Sequence, residues 1–414
     1  SAGGIFCGQE AAPQIIGSAI SGNTAYVQGG GLDIQFSTPF IADCLIMSNS
    51  ATAEEGCGGS GGGMHVLQAS PTFVGCSISG NTAQCDGGGV ALRNCVNTIF
   101  ESCRVYENSS DFFAGGIHGF NSSITITGSE FRDNSGGMGG AIGSHGLSAF
   151  SVENCMLVDN SAGVAGGAVS CYDSATISLT HCTIANNTVS GNGGGIFCGE
   201  TSSAAIIDGI LWGDGPDEIY VEPGSAVTAT YTDVQGGWTG AGNISANPSF
   251  VGGGDYHLTA ASPCVDTAIA AGLSTDIDTD ARPYDVPGTG KDGTGDEFDM
   301  GADEYAPTQL TSIQLFAPAD LSMLAAPPTF SWSADGGTNN AFAVDIALSP
   351  SGPVYSTYET LHQPLFTNSW TMPLQIWNMI PAGKRLYWRV RGVDLAVPPP
   401  VIIPSDEVWS FTKQ

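Results

Sequence analysis

Seven times in the first half of the chain, a branched or aromatic apolar residue is followed three positions later by Asn: Ile20 and Asn23, Ile46 and Asn49, Ile78 and Asn81, Val105 and Asn108, Phe131 and Asn134, Leu157 and Asn160, Ile184 and Asn187. Successive Asn residues are 26, 32, 27, 26, 26 and 27 positions apart. A Gly-Gly pair followed by an apolar residue recurs in each interval, at Gly4, Gly31, Gly63, Gly89, Gly116, Gly140, Gly167 and Gly195. A fixed period of this length is the signature of a solenoid, in which each repeat buries its apolar face only by stacking on its neighbours.

Within each repeat the apolar spacing is two, which is the period of a strand. Cys44 and Ile46, Cys76 and Ile78, Cys103 and Val105, Cys155 and Leu157, Cys182 and Ile184 each share one face. Upstream, Phe150 and Val152, Ile124 and Ile126, and Ile177 and Leu179 continue the alternation with its parity broken by one, as at a bend between two short strands. The Gly-Gly pair opens another strand, as at Val90 and Leu92. The pattern predicts a right-handed parallel β-helix with three short strands and three turns per coil. Asn is the expected turn residue, since it tolerates the left-handed conformation and can form ladders between stacked strands. A flexible Gly-rich linker does not keep an alternating face in register with a turn residue over seven copies.

Phe131-Arg132-Asp133-Asn134 and Gly139-Gly140-Ala141-Ile142 resemble the FxxN and GGAI repeats of the polymorphic outer-membrane proteins, a family of bacterial surface β-helices. The likeness spans roughly residues 1–200 and implies a bacterial, exported, surface-associated protein. It implies no particular ligand, because the motif reports the coil and not its cargo.

The formal net charge is −30, and residues 1–308 carry 33 acidic and 5 basic side chains. Up to residue 281 the only cationic side chains of Lys or Arg type are Arg93, Arg104 and Arg132. Such a surface argues against nucleic acid or an anionic membrane as partner. It fits either simple solubility or a cation-loving exterior. No apolar run reaches the length of a membrane span. No signal peptide is read in this sequence, so for an exported protein it has been removed or lies outside the sequence. Ser1 stands in mid-coil, directly before Gly3-Gly4-Ile5-Phe6-Cys7. A bare first rung leaves unpaired backbone groups that invite another subunit, which predicts head-to-tail stacking through these residues. The competing expectation is that further coils precede Ser1.

Of 12 cysteines, Cys44, Cys76, Cys103, Cys155 and Cys182 occupy one inward position, where Ser18 and Ser129 stand in other coils. Equivalent residues of adjacent coils lie about 4.8 Å apart, within disulfide range but with parallel side chains. A buried thiol ladder is the expectation for this column. Cys57 and Cys85, just before the Gly-Gly strand of adjacent coils, and Cys171 and Cys198, just after it, are the predicted disulfide pairs.

From about residue 204 the repeat fades, and Trp212-Gly213-Asp214 replaces the Asn turn. The succession Asn247-Pro248-Ser249-Phe250, Asp255-Tyr256-His257-Leu258, Ser262-Pro263-Cys264, Asp276-Ile277-Asp278-Thr279-Asp280 and Asp299-Met300-Gly301-Ala302-Asp303-Glu304-Tyr305 resembles the choice-of-anchor Q module. That resemblance implies display at a bacterial cell surface and carries no catalytic residues. Asp276, Asp278 and Asp280, with Asp292, Asp296 and Asp299, offer hard oxygen ligands suited to Ca2+. The alternative is a solvated acidic loop, partly neutralised by Arg282.

After Ala306-Pro307-Thr308 glycine falls and aromatics rise. Alternating segments at Phe330–Ser333, Phe342–Ile346, Leu386–Arg391 and Val408–Thr412, divided by Pro- and Gly-bearing turns, predict a β-sandwich. Trp332, the Tyr387-Trp388-Arg389-Val390 strand and the final Trp409-Ser410-Phe411 strand resemble a fibronectin type III domain. Such domains serve as spacers, glycan-contacting modules or assembly surfaces. The predicted organisation is therefore β-helix coils over 1–235, a closing segment over 236–308 and a β-sandwich over 309–414.

β-Helices also host polysaccharide lyases and hydrolases, which need carboxylates and a basic group on one face. Glu107, Asp133 and Asp159 form a carboxylate column immediately before the turn Asn, the best catalytic candidate in the chain. Arg104 and Arg132 do not share one column, and His118 and His145 do not share a register relative to Gly-Gly. The expected function is accordingly a non-catalytic extracellular or cell-surface structural protein that assembles with itself into a filament or layer. The alternatives are a glycan-binding adhesin and a polysaccharide lyase or hydrolase acting through that column.

Overall fold

The structure is a computed structural model that describes all residues except 1, 54–57, 270–271, 287–288, 291–296, 307–309, 338–339, 351–353, 362–363 and 396–400. It divides into two compact units, Ser1–Tyr305 and Ala306–Gln414.

Among the described residues the first unit contains three nine-stranded parallel sheets and a fourth, seven-stranded one, and the four succeed one another within each of the first seven coils. The coil beginning at Val90–Arg93 continues through Thr98–Glu101 and Arg104–Tyr106 to Ser109–Ser110. The fold is thus the parallel β-solenoid that the period implies. Every rung adds its strand to the same sheet in parallel register, as in Ile78 opposite Ile46 on one side and Val105 on the other. The inward positions form continuous apolar columns. One column runs Ile20, Ile46, Ile78, Val105, Phe131, Leu157, Ile184 and Leu211. A second includes Phe73 and Phe100, whose rings stack at 4.6 Å.

The sheet of short strands after the Asn turn, such as Ser50–Thr52 and Thr82–Ala83, was not expected. Its strands are small and mostly polar, so they show no apolar alternation to mark them. The Gly-Gly register also differs in two coils. Ile142 and Val169 align with Ile117 and Ile196, so Ala141 and Ala168 occupy the place that Gly116 and Gly195 hold elsewhere. At Gly30 no side chain is possible, because a Cβ would stand 2.2 Å from the Gly62 carbonyl oxygen of the next coil.

The seven Asn residues form one hydrogen-bonded file. Each Oδ1 from Asn49 onward accepts both the backbone N–H and the Nδ2–H of the preceding Asn, at 2.9–3.1 Å. The second Nδ2 proton goes to the carbonyl of the apolar residue that opens the preceding motif. Asn134 donates to Val105 and Asn160 to Phe131, at 2.8 and 3.0 Å. Buried amides are thereby saturated. The file ends on Asp214, whose Oδ1 accepts from Asn187 at 2.6 and 2.8 Å.

The left-handed conformation is not the Asn's own. It falls on the residue before: φ is 54° at Ser48, 58° at Gly80, 55° at Glu107, 54° at Asp133, 57° at Asp159 and 58° at Asn186. The corner before the Cys/Ser column works the same way, with φ of 50° at Asp43, 51° at Ser102 and 54° at Asn154. At each corner a left-handed residue turns the chain and its successor drops a small hydrogen-bonding side chain inward. Ser129 illustrates it, donating to the Thr127 carbonyl and accepting the Cys103 N–H.

After the last rung Trp238 packs against the solenoid core. The described residues between 250 and 305 do not add further rungs. They lie along the outer face of the Asn-bearing sheet, where Met156, Val158 and Ala185 pack with Ala302, Phe250, Tyr256 and Ile277. Ile210 packs there with Leu258, Cys264, Phe298 and Met300. The second unit has a three-stranded antiparallel sheet and a six-stranded sheet that share one core around Phe330, Trp332, Trp388 and Phe411. Trp388 is fully buried and its ring meets Phe330 edge-on at 4.9 Å. Two short helices, Thr357–Leu361 and Leu374–Met379, interrupt its strands, which the alternation did not foretell.

Replacing Asn134 by Ala removes a buried acceptor and two donors at once and strands the Asn108 amide groups and the Val105 carbonyl. The expected loss is roughly 3 kcal/mol of unfolding free energy. Chemical denaturation checks this against the exposed Ser190→Ala, for which a change within about 0.5 kcal/mol is expected. A loss below about 1 kcal/mol for Asn134→Ala would mean that the file contributes no more than an ordinary surface contact.

Candidate functional site

The carboxylate column Glu107, Asp133 and Asp159 sits on the left-handed corner positions before the Asn file. Asp159 is fully engaged: Oδ2 accepts from Arg132 at 2.7 Å, and Oδ1 accepts from the Tyr256 hydroxyl at 2.7 Å and from Asn186 Nδ2 at 2.6 Å. Arg132 also reaches Glu130 at 2.8 Å and lies 5.6 Å over the Tyr256 ring. Arg104 pairs loosely with Glu130 at 3.5 Å. Asp133 is exposed, and its carboxyl is held above the usual range by partial burial and the charge of Asp159. The column thus splits into one bound residue and two solvated ones. Asp159 serves as the attachment point of the closing segment.

A second polar group lies on the outward face of the Gly-Gly sheet and is nonetheless buried. His65 Nδ1 meets Asp33 Oδ1 at 2.9 Å. Asp86 is held by Ser60 and by Arg93. His118 Nε2 and His145 Nδ1 share a hydrogen bond at 3.2 Å, and Phe113 stacks on the His118 ring at 4.7 Å. The two histidines are out of register, as expected, since His118 pairs with Gly143 and His145 with Phe120. They meet diagonally. Burial, with Arg93 second, pushes the His118 imidazole down to about 3, and burial likewise lowers His145. Neutral, enclosed imidazoles of this kind are structural hydrogen-bonding groups.

Of the acidic residues considered for Ca2+, Asp276 and Asp299 accept backbone hydrogen bonds. Asp276 accepts the backbone N–H of Asp278 and Asp280 on Oδ1 and of Glu304 on Oδ2, at 2.8–3.1 Å. Asp299 accepts from the Asp266 and Tyr305 N–H groups, both at 2.7 Å. Asp280 is exposed, and Asp292 and Asp296 lie outside the described residues. A segment with little regular secondary structure has no ladder partners for its N–H groups, and these carboxylates supply them. Buried Arg282 neutralises part of the set, bonding Glu304 at 2.8 Å and the Gly301 and Asp303 carbonyls at 3.0 and 2.9 Å.

Among the described residues, the group of three whose ligand atoms lie within 4.8 Å of one another is His257, Asp278 and Asp303. Of these only Asp278 was expected. His257 and Asp303 carry no spacing signal, because three separate stretches bring the group together.

Cys85 is disulfide-bonded, and its predicted partner, Cys57, lies outside the described residues. Cys171 and Cys198, predicted as a pair, are free, buried thiols. They stand directly in register on the Gly-Gly strands, not in loops. Parallel side chains in one column give poor disulfide geometry. The inward column Cys44, Cys76, Cys103, Cys155 and Cys182 is likewise free and buried. Non-reducing peptide mapping of the unfolded protein should recover Cys171 and Cys198 as thiols, and a Cys171–Cys198 cross-link would contradict this arrangement.

The buried carboxyls make the closing segment sensitive to pH. Burial raises Asp266 to about 7 and Asp233 to about 6, whereas in the unfolded chain both titrate near about 4. The folded form binds the extra protons, so their contribution is complete below about pH 4 and fades as pH rises through 6–7. His118 and His145 act oppositely, with a contribution complete above about pH 6.5 and lost on acidification. Amides of residues 258–269 should therefore exchange hydrogen faster at about pH 8 than at pH 5, after correction for intrinsic rates and with a chelator present. Equal protection at both values would contradict it.

Residues 3–184 match the family described as the right-handed beta helix region. A search of curated proteins gave no match. Among solved structures, the chain is similar to chitinase ChiW from Paenibacillus sp. str. FPU-7, described as a bacterial cell-surface-expressed multi-modular enzyme machinery, at 10% identity with a TM-score of 0.16. The alignment covers 95% of this chain and 24% of that one, so the chain spans about a quarter of it. A likeness this slight carries no argument about fold or function. The parallel solenoid and the family match together make the first unit a right-handed parallel β-helix.

Proposed function

We propose that this protein is a non-catalytic structural component of a bacterial cell surface or extracellular layer. Its acidic β-helix acts as a rigid scaffold, and its second unit as a fibronectin type III-like module. The observation that carries this reading is the fate of Asp159. Asp159, one of the three carboxylates in the column best placed for acid–base chemistry, is spent on Arg132, Asn186 and Tyr256, holding the closing segment to the coils. A paired-carboxylate mechanism that used Asp159 would need that group free to face substrate. The anchor-Q-like sequence order of that segment adds support for surface display.

The surface also supports self-association. On the outer face of the Asn-bearing sheet, Met156, Val158 and Ile210 are covered by residues 250–305, but Leu45 and Met47 at the equivalent places of an early coil are 48% and 37% exposed. Ile16 and Phe40, on the preceding strands of the first two coils, are also exposed. Exposed apolar side chains on an otherwise acidic solenoid suit a contact surface, and a second copy of this chain is the proposed occupant.

Electron microscopy of the purified chain at low salt is expected to show regular filaments or layers, and Leu45→Lys with Met47→Lys is expected to disperse them. In parallel, a panel of uronate, chitin and neutral polysaccharides should yield no new reducing ends. Dispersed monomers under all conditions, or cleavage lost in Asp133→Asn, would overturn the reading in favour of a glycan-binding or glycan-cleaving protein.

A further inference from the structure

The closing segment brings together one imidazole and two carboxylates from the strand Asp255–Leu258, the turn at 276–280 and the loop at 299–305. His257 Nε2 lies 2.7 Å from Asp278 Oδ2. Asp303 is buried, and one of its oxygens is fixed by the Leu258 N–H at 2.6 Å. On the far side of the ring, His257 Nδ1 faces Asp255 Oδ1, which also accepts the His257 backbone N–H at 3.1 Å. A carboxylate behind an imidazole fixes its tautomer and aims the opposite nitrogen, the arrangement found behind metal-bound histidines. His257 and Asp278 are partly exposed, so an ion can enter and water can complete its shell.

We propose that His257, Asp278 and Asp303 bind one divalent transition-metal cation of the Zn2+ class. Imidazole nitrogen with carboxylate oxygen suits Zn2+ and its neighbours, whereas Ca2+ and Mg2+ prefer all-oxygen shells. The site is distinct from the six-Asp set considered for Ca2+, with which it shares only Asp278. Its consequence is mechanical. Tyr256, next to His257 on the same strand, bonds Asp159 of the solenoid at 2.7 Å. A metal at His257 ties that strand to both neighbouring loops and locks the segment onto the coils.

The test uses the full chain stripped with a chelator, then titrated with Zn2+ or Co2+ alone. One equivalent is expected to bind and raise the melting temperature, and Ca2+ at the same concentration is not. The Co2+ form should lack a thiolate charge-transfer band, since the site holds no sulfur. His257→Gln and Asp278→Asn should abolish the shift. Asp255→Asn leaves all three ligands in place and should weaken binding about tenfold. Equal binding by wild type and all three variants, a thiolate band, or no binding at all would overturn the proposal, leaving His257 as the centre of an ion pair only. Neither outcome bears on self-assembly, which is read separately by microscopy.

Discussion

The fold depends on how a solenoid fills its corners. A turn that brings backbone amides inside the molecule must give each one a partner, because an unpaired buried N–H costs about as much as several favourable contacts return. The Asn file meets this demand with one side chain per coil. Its oxygen accepts two protons from the preceding Asn, and its nitrogen donates one to the next ladder member and one to the preceding coil's backbone. Asp or Ala at these places lacks the donors. The end of the file shows the same logic. Asp214 has only to accept, so a carboxylate suffices there, and its other oxygen faces Glu218, which with burial raises the Asp214 carboxyl far above its ordinary range.

The corners also explain where acidic residues accumulate. The residue before each ladder Asn must adopt the left-handed conformation, which Gly, Asn and Asp tolerate best. Gly80, Asp133, Asp159 and Asn186 occupy those places. Asp133 and Asp159 thus suit the backbone geometry of the turn, whereas Glu107 and Ser48 hold the same conformation without that preference. Asp159 differs from its neighbours because the closing segment reaches back to it.

Much of the solenoid was legible in the sequence because period and parity are local. Ile46, Ile78 and Val105 advertise one inward face, and the Asn three residues on marks the corner. What was not legible depends on small or distant residues. Ser109 and Ser110 form a strand without an apolar signal. The left-handed residue was misplaced by one, since Asn tolerates the conformation as readily as its predecessor does. Cys171 and Cys198, expected just after the Gly-Gly strand, stand on it as buried free thiols, because the strand runs farther than its apolar alternation marks. His257 and Asp303 are 46 residues apart in numbering and meet only because residues 250–305 fold back along the coils. Outward apolar residues such as Met156 and Val158 were the available hint, since an exposed sheet face has no use for them.

The central claim is that a continuous, saturated amide file runs from Asn23 to Asp214. Hydrogen exchange of the individual side-chain carboxamides, followed by NMR with Asn-selective labelling, tests it most directly. The account predicts that Asn81, Asn108, Asn134 and Asn160 exchange only through cooperative opening, with protection comparable to that of backbone amides in the flanking strands. Carboxamides that exchange as fast as that of exposed Asn97 would contradict it.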